Sequence, residues 1–190
     1  MGCKPGDYLK LLKAPEHVGN VPTALGKEVY LMNVGIFGLF ILAYYNLIGA
    51  SFNSVTFGII FCMLCTANSG SHPGNVWPIM LGYVIGSFGF SSLSGLAGGT
   101  YAMTINAQAI AIGLCFANGL SPITSKYGWF WGAVAAVMHF LLVTSVPNMH
   151  GGFCLYNGGF TAALICLILV PELEKFFRTK EERRALKAAK

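Results

Sequence analysis

The residues best equipped for chemistry lie between Asn148 and Gly159, NMHGGFCLYNGG, where polar side chains and glycines open an otherwise apolar run. Asn148, His150, Tyr156 and Asn157 can each donate and accept hydrogen bonds. Gly151, Gly152, Gly158 and Gly159 let backbone approach a solute closely or break a helix. Three more polar groups stand in apolar surroundings: Asn106 and Gln108 in YAMTINAQAIAIGLCFA, and His139 in the run from Trp129 to Val146. Such a set suits recognition of a solute by hydrogen bonds. It does not suit acid–base catalysis, because no carboxylate occurs between Val29 and Pro171.

The same shortage excludes other chemistries. A Ser/His/Asp arrangement lacks its acid, and neither G-x-S-x-G, H-E-x-x-H nor a phosphate-binding G-x-x-x-x-G-K-[ST] occurs. No enzymatic activity is expected. His72, His139 and His150 have no second histidine and no carboxylate three or four residues away, so neither a metal nor another cofactor is expected. Of the six cysteines, Cys62, Cys65, Cys115, Cys154 and Cys166 sit in apolar runs and behave as small hydrophobic residues.

The elements that must position these groups belong to a membrane. The chain of 190 residues is 55% hydrophobic and 10% charged, with a mean hydropathy of +0.63, whereas a soluble domain carries about 25% charged residues. Between Val29 and Pro171 the single formal charge is Lys126. The net charge of +5 resides mainly in the ends, which argues against nucleic acid as a partner and marks both ends as cytoplasmic.

Residues 1–28 are expected to form an amphipathic segment lying on the membrane surface, 29–171 a transmembrane helical domain, and 172–190 a basic cytoplasmic helix, with the preceding helix stopped at Pro171. The fold class is all-α, a polytopic integral membrane protein with about six transmembrane or re-entrant helices. The first span is Val29 to about Ala50, where Tyr44 and Tyr45 suit an interfacial belt. Ser54 to Asn68 is short enough either to cross or to re-enter. Pro78 to Leu96 carries Gly82 and Gly86, a small-x-x-x-small face for close helix packing. Tyr101 to Ala117 places Asn106 and Gln108 at depth, where amides must find partners in the protein interior. A polar connection, 118–128, leads to the span from Trp129 to Val146, whose Gly128 and Gly132 form a second packing candidate. SHPGN and NGLSP precede their spans with one plan, polar residue then proline, and corresponding breaks of this kind point to a transport site.

The stretches LMNVGIFGL, SHPGNVWPIMLG, FANGLSPITSKYGWFWG and MHGGFCLYNGGFTAALICLILVPELE together resemble the bacterial membrane-protein family known as domain of unknown function 1576, specifically its C-terminal half, over residues 8 to 176. Phe153, Cys154 and Gly158 depart from the family's ending, which implies fewer polar groups there. The resemblance implies a bacterial inner-membrane protein that pairs with itself or with a separately encoded membrane half. The residues and the resemblance together predict part of a channel or passive transporter for a small neutral or weakly charged solute. A non-transporting assembly subunit is the alternative.

Overall fold

The computed structural model describes residues 5–14, 17–97, 104–149, 151 and 157–189. The chain is all-helical, with no strand among the described residues. Its helices are α1 (Pro5–Leu12), α2 (Val21–Leu25), α3 (Lys27–Leu47), α4 (Ser54–Cys65), α5 (Pro73–Leu96), α6 (Gln108–Ala117), α7 (Ser121–Tyr127), α8 (Trp129–Met149), α9 (Asn157–Phe176) and α10 (Lys180–Ala188). Short 3-10 turns, Thr66–Ser69 and Asn118–Leu120, follow α4 and α6.

Among the described residues three helices are long and apolar enough to cross a membrane: α3, α5 and α8 through Val146. Each is apolar nearly all round, and spacing decides which side chains turn inward. Along α3, Val29, Asn33, Phe37, Ile41 and Tyr45 repeat every fourth residue and are buried, while Leu31 and Leu39 remain 66% and 69% exposed. On α9, Thr161, Ile165, Leu169 and Leu173 form a similar buried line, with Phe160 and Leu167 outside. A surface of leucine and phenylalanine around such helices fits a membrane protein.

α5 and α8 make the most extensive helix pair. A Cβ added at Gly82 would lie 2.5 Å from Ala136 Cβ and 2.6 Å from the Ala133 carbonyl, and one at Gly86 would lie 2.8 Å from the Phe140 ring. The two backbones approach because these residues lack side chains.

Several boundaries differ from expectation. α1 does not simply lie on a surface: Tyr8 and Leu11 pack with Val21 and Val29, and the Tyr8 hydroxyl reaches Asn33 Oδ1 at 3.4 Å. Tyr44 and Tyr45 face inward rather than forming a belt, because their hydroxyls find the carbonyls of Met80 and Ala111. Residues 118–127 are a 3-10 turn and a helix rather than an open connection. Pro171 does not end its helix, which runs to Phe176 with Leu173 buried and Glu174 paired to Lys126 at 2.9 Å. Those last-turn contacts offset the lost proline N–H. The charged tail helix begins only at Lys180, behind a Thr179–Glu182 capping box.

Candidate functional site

Asn106 and Gln108 are not deep. α6 starts only at Gln108, both residues are exposed, and the Gln108 amide donates to Asn53 Oδ1 at 3.0 Å beside the start of α4. The short helix leaves them at one end of the bundle, where Asn53 supplies the partner that an interior would otherwise have to provide.

His139 lies at the opposite extreme. It is fully buried halfway along α8, with the Tyr83 hydroxyl 2.6 Å from Nδ1 and the Gly158 carbonyl 2.9 Å from Nε2. A carbonyl only accepts, so Nε2 carries the proton and Nδ1 accepts from the tyrosine. This bond set holds a neutral imidazole as a clasp joining α5, α8 and the first turn of α9. Gly158 comes this close because it faces Phe116, whose ring would lie 2.5 Å from an added Cβ; Gly159 meets the same ring at an ordinary 3.8 Å. Asn157 is the half-buried first residue of α9, and its carbonyl accepts from the Thr161 hydroxyl.

Asn148 belongs to the last turn of α8, Gly151 has a φ of 61°, and His150, Gly152 and Tyr156 lie outside the described residues, as do Phe153 and Cys154. Gly132 sits against the Thr124 side chain, whereas Gly128, at φ 112°, forms the joint between α7 and α8 rather than a packing face. Asn106, Gln108 and His139 therefore do not share one site. Among the described residues no three His, Cys, Asp or Glu side chains are grouped to hold a metal.

A different set of polar residues does converge, where the start of α5 packs against α7. Asn75 is its hub. Its Oδ1 accepts the His72 N–H at 2.9 Å, and its Nδ2 donates to the Gly70 carbonyl at 2.9 Å and to Ser125 Oγ at 3.0 Å. Ser71 Oγ meets Ser121 Oγ at 3.2 Å, the Ser71 carbonyl accepts from Asn33, and Asn118 donates to the Thr66 hydroxyl. Apart from the half-buried Thr66, these side chains are at most 5% exposed. Among the described residues Asn118 Oδ1 has no hydrogen-bond partner, an acceptor open to a donor.

The signal for this layer is an internal repeat. Leu64 to Ser71, LCTANSGS, is echoed by Leu114 to Ser121, LCFANGLS, at a constant offset. The pairs Ser71–Ser121 and Asn75–Ser125 are each 50 residues apart. In each copy an apolar helix ends in a 3-10 turn and the chain goes on into a further helix, the long α5 in the first and the short α7 in the second. Equivalent residues of the two breaks thus bond to each other.

A family model matches residues 8–175, most of the chain. The chain belongs to the family described as protein of unknown function, DUF1576. No curated protein and no solved structure matches this DUF1576 chain. The match includes both copies of the repeat, His139 and the first turn of α9, so the polar layer and the clasp both fall within the family region.

Proposed function

We propose that this DUF1576 protein lies in the bacterial inner membrane with about six transmembrane or re-entrant helices and both termini in the cytoplasm, and forms part of a channel or passive transporter for a small neutral or weakly charged solute. The observation that carries this reading is the polar layer, in which two corresponding helix breaks bring Thr66, Ser71, Asn75, Asn118, Ser121 and Ser125 together without a carboxylate. Interrupted helices at a repeat interface are a recurrent way to present polar groups inside a membrane. Amides and hydroxyls select by hydrogen-bond geometry, and Asn118 Oδ1 supplies an unused acceptor. The orientation rests on Lys27 at the start of α3, Lys126 in the last turn of α7 and Lys180 at the start of α10, in keeping with positive charge on the cytoplasmic side. On this reading the protein catalyses no bond change.

Reconstitution into liposomes, with light scattering to follow uptake of a panel of small polyols and amides, tests the proposal. Faster entry than into empty liposomes, lost in Asn118→Leu, is expected. Entry no faster than in empty liposomes for the whole panel would sink it.

A second reading, an assembly subunit paired with another copy or with a separately encoded membrane half, draws on α4. Its 12 residues span about 18 Å, short of the ~30 Å hydrocarbon core, and Val55, Phe57 and Phe61 are exposed on it. Stable co-purification of a second membrane chain, with no flux by the isolated protein, would select that reading.

A further inference from the structure

We propose that the protein holds one anionic phospholipid, its phosphate in a basic cavity at the start of α8 and an acyl chain in the apolar groove between α5 and α8. The cavity, about 460 Å³, is walled by Trp77, Trp129, Lys180 and Arg183, with Thr124 and Tyr127 also lining it. The groove, about 390 Å³, is lined by Leu81, Ile85, Val134, Val137 and Met138. Trp129 and Phe130 line both, so the basic cavity and the greasy groove adjoin at these two residues. A polar, cationic compartment beside an apolar furrow has the amphiphilic form of a phospholipid.

The charge at the polar end favours an anion. Among the described residues, Lys180 and Arg183 line the cavity and no carboxylate does. The Arg183 guanidinium donates to the Tyr127 carbonyl at 2.6 Å, which fixes its position without neutralising it. Burial and the nearby Arg184 and Arg183 push the Lys180 ammonium below its ordinary range, a repulsion that a bound phosphate relieves. Residues 128–131 all line the cavity, and they bring the first amides of a 21-residue helix, the positive end of its dipole. Thr124 and Tyr127 are 1% and 2% exposed, and among the described residues neither hydroxyl has a hydrogen-bond partner. Trp77 and Trp129 stack at 6.0 Å on the cavity wall, a pairing suited to the boundary between headgroup and acyl chain.

All three tryptophans of the chain line this cavity, so intrinsic fluorescence reports on it. The test uses the full chain in phosphatidylcholine nanodiscs containing a minor fraction of either phosphatidylglycerol or phosphatidylcholine brominated high on the acyl chain. Brominated phosphatidylglycerol should quench more strongly. Lys180→Gln should lower its relative association about fivefold, the loss expected for one cation near the membrane surface, while Lys180→Arg retains the preference. Lys180 is the first residue of α10 and contributes no core packing, and unchanged helical circular dichroism checks that the variant is folded. Equal quenching by the two lipids overturns the proposal, as does a preference that survives Lys180→Gln together with Arg183→Gln. Sodium phosphate shifting the emission in plain phosphatidylcholine nanodiscs, against a chloride control of equal ionic strength, together with equal quenching by the two lipids, assigns the cavity to free phosphate and also overturns it.

Discussion

Replacing Asn75 by leucine tests whether the paired breaks are held by hydrogen bonds or only by shape. Leucine is close in volume, and the site is 2% exposed, so the change removes polarity with little change in packing. Three bonds are lost: from the His72 N–H, to the Gly70 carbonyl and to Ser125 Oγ. The serine hydroxyl can turn to a carbonyl of its own helix, so the cost falls on the His72 N–H and the Gly70 carbonyl. Each buried orphan costs about 1–3 kcal/mol, giving about 4 kcal/mol for the pair. For a chain of this size that corresponds to a fall of about 8–16 °C in Tm. Ser125→Ala removes one neutral bond, about 1 kcal/mol, and should lower Tm by about 2–4 °C. The double variant should be less destabilised than the sum, since the two residues share a bond. Thermal unfolding in detergent, followed by helical circular dichroism, measures all three. A Tm for Asn75→Leu within about 2 °C of the parent, or strict additivity with Ser125→Ala, refutes the account.

His72 caps α5 by accepting the Gly74 N–H at 3.1 Å, and burial, with His17 and Lys180 nearby, lowers its pKa to about 4. The folded state thus binds the proton less readily than the unfolded one: the contribution, up to about 3 kcal/mol, is complete above about pH 6.5 and disappears as pH falls toward 4, and His72→Asn should flatten this part of a stability–pH profile. Gly82→Val should prevent assembly of α5 on α8, since the new Cβ meets Ala136 and the Ala133 backbone, whereas Gly35→Ala, with nothing within 4 Å, should leave Tm unchanged or slightly higher; size-exclusion chromatography and melting measurements separate them. Gly128→Ala should cost about 1–3 kcal/mol purely through its φ of 112°, because the nearest atoms are an unobstructive 3.6 Å away. Lys126→Ala should lower stability by less than about 1 kcal/mol, since its bridge to Glu174 is exposed, and a larger loss in the melt would show a network not captured by that pair.

Composition made the all-helical class and the long apolar helices legible, because nothing except a lipid environment accommodates a run from Val29 to Pro171 with one charge. The helix ends were harder. Gln108 looked deep because its neighbours are apolar, yet a helix of 10 residues leaves it beside Asn53. Pro171 looked like a stop because proline removes a backbone donor, but buried Leu173 and the Lys126–Glu174 bridge carry α9 past it. The polar layer escaped for another reason. Ser71, Asn75, Ser121 and Ser125 each stand near a proline or a helix start, where small polar residues usually serve as caps. Their meaning is in the pairing across 50 residues, a relation that no single stretch contains.

That relation also explains why the two copies are not identical in shape. When a helix–turn–helix unit is repeated in the same sense, only residues near the axis relating the copies meet their own equivalents. Ser71 with Ser121 and Asn75 with Ser125 meet in this way, so the axis passes through the polar layer. Gly82 and its equivalent Gly132 lie away from it and take different partners, Ala136 for one and Thr124 for the other. The copies already differ at Gly70, with a φ of 89° where Leu120 is helical, and they differ again at Pro78 and Gly128, which occupy the same place in the two copies. Pro78 keeps a φ compatible with helix, and α5 runs through it. Gly128 adopts a φ of 112°, and the second copy breaks there into α7 and α8. The break frees the start of α8 to line the basic cavity with Trp129 and Phe130, while the unbroken first copy supplies Trp77 to the same wall. The duplicated unit therefore does two jobs, a polar layer shared by both copies and a cavity that depends on their difference.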